Sequence, residues 1–143
     1  MEFKRRRMKG APKHYKEWRD ESKQYRVHWR YRYKGIEVLP AYYSCVRCVH
    51  EGFEYWGFTG RQGTYKTFRA AVKGCEDNMK VWEQFLAIEG RGKLSQFREL
   101  QQNYIKGTAL TGRVILRDLP IWVMNQASAR LIHILQGRKI NDD

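Results

Sequence analysis

Residues Tyr25 to Lys34 read YRVHWRYRYK and alternate almost without error. Tyr25, Val27, Trp29, Tyr31 and Tyr33 fall on one face of an extended strand; Arg26, His28, Arg30, Arg32 and Lys34 fall on the other. Successive strand residues point to opposite sides of a sheet, whereas a helix would scatter these residues around its axis. One face of the strand is therefore aromatic and able to enter a core. The other carries four permanent positive charges along about 30 Å of chain, at roughly 3.3 Å per residue. These charges repel one another, and a polyanion would offset that repulsion.

The rest of the composition points the same way. The 143 residues carry a formal net charge of +13. Residues 1–34 hold 13 Lys or Arg against 4 Asp or Glu, so the basicity is concentrated at the start of the chain. Such asymmetry favours nucleic acid or an anionic membrane as partner, with a merely soluble basic surface as the plainer reading. No apolar run approaches the ~20 residues of a spanning helix. The start, MEFKRRRMKG, is basic but has no apolar segment behind it, so it is no secretory signal. A cytoplasmic or nucleoid-associated setting without a membrane is expected, and three Cys make no disulfide framework.

The expected class is α+β: a three-stranded antiparallel sheet packed on one long helix, with a basic N-terminal arm and a C-terminal helical portion. Residues 1–11 read as the flexible arm, with Lys4, Arg5, Arg6, Arg7 and Lys9. Residues 12–93 read as the sheet and helix, and 94–143 as a helical extension on the same core. Pro12 to Lys23 reads as a short helix, with Tyr15 and Trp18 three apart. The basic strand can run on past Gly35 toward Val38. A second strand spans Ala41–His50, with Pro40 at its entry, and a third spans Phe53–Phe58. Glu51-Gly52 makes a tight hairpin, where Gly52 supplies positive φ. Tyr42, Val46 and Cys48 are expected inside and Tyr43 and Arg47 outside; on the third strand, Trp56 and Phe58 inside and Tyr55 outside.

Gly57, Gly60 and Gly63 read as turn glycines, because no P-loop lysine follows in register. Thr67 reads as an N-cap for a helix from Phe68 to about Ile88. Its apolar residues, Phe68, Val72, Cys75, Met79, Trp82 and Leu86, recur at steps of 4, 3, 4, 3, 4, one helical stripe. A further helix is expected from Ser95 to about Ile105, and a strand over 113–119. A last helix over 121–136 would follow Pro120 and bury Met124, Ala127, Leu131 and Ile134.

Metal and catalytic signatures are weak. Cys45 and Cys48 form a C-x-x-C, but on a strand, residues three apart diverge, and the second ligand pair that zinc wants is absent. His14, His28, His50 and His133 show no metal spacing. No metal or cofactor is expected. Glu76, Asp77, Glu83 and Glu89 on the long helix read as mainly solvent-facing.

The stretch Ala41–Met79 resembles the DNA-binding domain of plant ethylene-response factors, which also occurs in phage homing nucleases and integrases. Tyr55-Trp56-Gly57-Phe58 is similar to its third-strand ending, and Thr67-Phe68-Arg69-Ala70-Ala71-Val72 to its helix start. The loop from Thr59 to Lys66 is longer than the family's, and Gly74-Cys75 replaces its Tyr-Asp pair. The resemblance implies a sheet face that reads the major groove through Arg26, Arg30, Arg32 and Arg47. Residues 54–60 also resemble half of the GIY-YIG nuclease motif. That implies Tyr43 and Tyr55 as the strand tyrosines, Arg61 or Arg69 as the phosphate-binding arginine, and Glu83, Glu89 or Glu99 as the metal ligand. The Gly-Ile-Tyr half is missing.

The expected function is nucleic-acid binding, with double-stranded DNA favoured and RNA or single strands as alternatives. The interface would comprise Arg26, His28, Arg30, Arg32, Lys34 and Arg47, Tyr43 and Tyr55 as flat contacts, and Arg5, Arg6, Arg7 and Arg61. The other readings are a Mg-dependent nuclease using Tyr43, Tyr55, Arg69 and Glu83, and a small basic inhibitor of a host protein.

Overall fold

The computed structural model describes residues 1–34, 36–60, 62–87, 99, 102 and 119–135, except for the side chains of 32–34, 37 and 38. Its centre is an antiparallel meander of five strands in sequence order: β1 (Phe3–Arg6), β2 (Lys16–Asp20), β3 (Tyr25–Lys34), β4 (Glu37–His50) and β5 (Phe53–Phe58). Two short strands join it, β6 (Thr64–Tyr65) and β7 (Leu119–Pro120), both on β4. Helix α1 spans Phe68–Ala87; α2 (Ile121–Gln126) and α3 (Ala129–Leu135) follow β7.

The class is α+β, as expected, but the sheet is larger than three strands. Part of the expected arm is β1, paired with β2 from Phe3↔Asp20 to Arg6↔Glu17. The expected short helix at Pro12–Lys23 is instead turns and strand β2. In Lys16-Glu-Trp-Arg-Asp20, alternation places Trp18 on one face and Glu17 and Arg19 on the other, a period of two. β3 does not run on past Gly35: the chain reverses, and Lys34 pairs with Glu37. Pro40 lies inside β4, in the part that only β3 flanks, where a residue without N–H is tolerated at an edge. The Glu51-Gly52 hairpin is tight, with both residues at positive φ (48° and 81°).

Helix α1 covers one face of the sheet. Thr67 caps it, its Oγ1 accepting from Ala70 N–H at 3.1 Å. The fully buried row is Ala71, Cys75, Asn78, Val81, Trp82 and Phe85. Phe68, Val72, Met79 and Leu86 flank it and are partly buried. The buried stripe is thus rotated by about one residue from the apolar stripe, because Ala71 and Asn78 sit at its centre.

Two clusters divide that side. The first half of α1 meets the sheet through Tyr25, Val27, Val46, Cys48, Ala71 and Cys75. The second half meets β7, α2 and α3 through Trp82, Phe85, Leu119, Val123, Leu131 and Leu135. The expected last helix is two helices: Ala127 is extended (φ −82°, ψ 148°), and Ser128 Oγ accepts from Leu131 N–H to start α3. Of the expected strand over 113–119, only Leu119 is described, in β7. The expected helix over 95–105 lies outside the described residues, except Glu99 and Gln102, which are helical.

Candidate nucleic-acid interface

The site is the sheet face that α1 does not cover. Register places its residues. Lys4, Arg19, Arg26, Cys45 and Phe58 form one row across the strands, and Arg6, Glu17, His28, Tyr43 and Thr64 form the next. Arg30 and Ala41 follow on β3 and β4, and Arg47 pairs with Trp56 on β4 and β5. The cationic alternation of β3 is therefore displayed on this outer face. Tyr25 and Val27 are wholly buried under α1, while Trp29 is half-buried and Tyr31 exposed farther along.

The outer face has a buried layer of its own: Ala41, Tyr43 and Cys45, with Trp56 packed against them. This corrects the orientation expected on the third strand. Trp56 and Phe58 face outward with Cys45 and Arg47, and Tyr55 lies on the α1 side opposite Cys48. The physical reason is that long cations on a sheet need something to lie on. Arg26 sits 4.5 Å from the Trp56 ring centre, Arg19 5.3 Å from the same ring, and Arg30 4.5 Å from Tyr43. A cation over a ring face is held there by the ring quadrupole. His28 is stacked between Tyr15 and Tyr43, with ring centres 5.6 and 4.8 Å away, and Phe58 continues the stack at 6.3 Å.

One carboxylate organises the cations. Glu17 is 2% exposed. Its Oε1 lies 3.3 Å from Arg26 and accepts from the Tyr15 hydroxyl at 2.8 Å; its Oε2 lies 3.2 Å from Arg19 and 3.7 Å from Arg6. Three guanidiniums share one negative charge, so the cluster keeps an excess of positive charge. Burial, then the bond to Glu17, pushes the Tyr15 phenol up to about 12. Burial, then Arg26 and Arg30, hold His28 down at about 3. His28, expected among the interface residues, is only 5% exposed, and its lowered pKa disfavours a charge there.

The expected interface residues divide accordingly. Arg30 is exposed. Arg6 is about half exposed, and Arg5 and Arg7 are exposed, Arg5 lying over Trp18 at 5.2 Å on the α1 side of the sheet. Arg47 is paired with Glu54 at 2.8 Å. Arg26 is 17% exposed and belongs to the Glu17 cluster. Tyr43 is buried beneath Arg30 and His28, and Tyr55 is on the opposite face. The side chains of Arg32 and Lys34, and all of Arg61, lie outside the described residues. Sequence reasoning read Lys4 as part of a flexible arm and missed Arg19 and Glu17; the signal was the alternation of Phe3–Arg6 and Lys16–Asp20.

The residues of the nuclease reading are not brought together. Tyr43 and Tyr55 lie on opposite sheet faces, and Arg69 and Glu83 are separated by 14 residues of α1, about 21 Å of axis at 1.5 Å per residue. Glu89 lies outside the described residues. Among the described residues no three His, Cys, Asp or Glu converge to hold a metal ion. Cys45 and Cys48 point into opposite layers, and burial pushes the Cys45 thiol up to about 11. Among the described residues, no helix is long and apolar enough to cross a membrane.

No protein-family model matches this chain, and comparison with curated proteins and with solved structures finds no similar one.

Proposed function

We propose that this protein binds nucleic acid, double-stranded DNA in preference to RNA, with the outer face of its sheet. The observation that carries the reading is the Glu17 cluster with its neighbours: Arg6, Arg19 and Arg26 converge on one carboxylate, and Arg30 sits over the next ring along. A preformed cationic lattice on a folded sheet suits phosphate oxygens and guanine edges, which accept the paired N–H donors of Arg. Arg30, Arg6, Arg19, Lys4 and Arg47 would make the contacts. Arg26 and Glu17 would hold the lattice in shape. The order of β3, β4 and β5 followed by α1 on the far face also supports the ethylene-response-factor resemblance.

A binding assay at two salt concentrations tests this, with duplex DNA, single strands and structured RNA as probes. The expected result is tightest binding to duplex, with log K falling against log salt at a slope of about −5 if about six phosphates are neutralised. Arg30→Gln should weaken binding several-fold and leave the melting temperature unchanged. Binding to none of the three probes, or binding indifferent to salt, removes the reading.

A further inference from the structure

The outer face is not uniform. At the β1–β2 edge of the sheet lies a cavity of about 590 Å³, within the range of sites for small ligands. Lys4, Arg5, Arg6, Arg19 and Lys23 line it. Lys4 and Arg19 stand directly opposite each other on β1 and β2, and Arg19 stands opposite Arg26 on β3. Three cations thus occupy one row across three strands spaced about 4.8 Å apart. Like charges directly opposite are destabilising in an antiparallel pair.

The carboxylates nearby do not fully offset this row. Glu17 is divided among three arginines. Asp20 lines the cavity but is committed to its own turn: Oδ1 accepts from Tyr25 N–H at 2.8 Å, and Oδ2 accepts from the backbone and hydroxyl of Ser22. Glu2 and Glu21 also line the cavity, leaving cations in excess by five to three. The Arg19 Nε–H is buried and has no aligned hydrogen bond despite its closeness to Glu17.

We propose that this cavity anchors a phosphate ester of the bound strand, with Lys4, Arg6, Arg19 and Lys23 as its donors. The proposal rests on the nucleic-acid reading and adds a fixed point to it: the backbone is gripped at the β1–β2 edge while the middle of the sheet faces the groove. Phosphate oxygens would offset the excess of cations lining the cavity and relieve the Lys4–Arg19 opposition.

The test pairs two double variants. Lys4→Gln/Lys23→Gln removes two cavity cations outside the Glu17 cluster. Lys66→Gln/Lys80→Gln removes two exposed cations elsewhere. Salt titrations on a short duplex should give a slope shallower by about 1, one phosphate's worth, for the first variant and unchanged for the second. Its affinity near 0.1 M salt should fall about ten-fold, with no loss of melting temperature. Equal slopes for wild type and the cavity variant overturn the proposal and leave the nucleic-acid reading standing. Equal loss in both variants overturns it too, because the effect is then net charge alone.

A second arm titrates inorganic pyrophosphate into wild type and follows backbone amide resonances. Saturable shifts at residues 4, 6, 19 and 23 support the phosphate site, even in the event that no duplex binding is found and the nucleic-acid reading fails. In that event the ligand is a free phosphate compound. No shift at these residues overturns the proposal.

Discussion

At the scale of single residues, Glu17 and His28 set the behaviour of the outer face. Replacing Glu17 by Gln leaves three guanidiniums around a neutral amide. Breaking a buried ion cluster by removing one partner is strongly unfavourable, so Glu17→Gln should cost about 3 kcal/mol in urea unfolding. Arg30→Gln should cost nothing measurable there, since Arg30 is exposed and rests on Tyr43. His28 gives the pH response. Its folded pKa, about 3, lies below the ordinary 6.5, so the unfolded chain binds the proton first. The stability contributed by neutral His28 is complete above pH 6.5 and is lost as pH falls from 6.5 toward 3. The limiting slope for one proton is about 1.4 kcal/mol per pH unit. Melting temperatures between pH 7 and 4 should fall less steeply for His28→Phe than for wild type.

At the scale of elements, α1 meets the sheet at a polar seam. Tyr25 OH donates to Asn78 Oδ1 at 2.7 Å, Asn78 Nδ2 donates to the Thr59 carbonyl at 2.7 Å, and Trp122 Nε1 donates to Tyr25 OH at 3.1 Å. One asparagine thus ties β3 and the residue after β5 to the helix, and Tyr25 extends the link to α2. Asn78→Ala should cost about 3 kcal/mol, because it removes the acceptor of the buried Tyr25 O–H and the side-chain donor to the Thr59 carbonyl. Gly74 marks the close approach. A Cβ there would lie 2.8 Å from Tyr65 Oη and 3.0 Å from Ser44 Oγ. Ser44 is fixed by Thr59, Cys75 and the Ala71 carbonyl. Gly74→Ala should therefore destabilise by about 1 kcal/mol despite its helix propensity, and Tyr65→Phe in the same background should restore part of it.

The same elements show what was legible in the sequence. β3, the Glu51-Gly52 turn and the start of α1 were readable because alternation, positive φ and a Thr cap each have one local cause. Asn78 was not readable, because a polar residue on a helix reads as surface until its partners are known. β2 was hidden because aromatics three apart also fit a helix. The outward turn of Trp56 and Phe58 was hidden because both faces of this sheet carry buried rings, so polarity no longer tells the faces apart. Four of the expected interface residues, Arg26, His28, Tyr43 and Tyr55, were placed by strand alternation alone. Register and burial give Arg26 a structural task, hold His28 neutral, cover Tyr43 and put Tyr55 on the other face.

At the scale of the whole molecule, the charge of the first 34 residues is displayed mainly across β1, β2 and β3, and the helices stand behind it. The C-terminal part is no appendage. β7, α2 and α3 cover Val81, Trp82 and Phe85 on the second half of α1. Cutting the chain after Ala87 should expose these side chains, and the truncated protein should bind a hydrophobic dye and lose its cooperative melting transition. The full chain should melt in one transition, because Trp122 touches both core clusters.

That division of the core has a consequence during synthesis. Ala87 is translated well before Leu135, and the intervening stretch of about 50 residues takes between about 2 and 10 s at 5–20 residues per second. For that interval the greasy second half of the helix has no lid, while the sheet and the first half already have each other. In a nascent polypeptide of this design the apolar surface that waits longest for its cover lies on the second half of α1, and not on the strands.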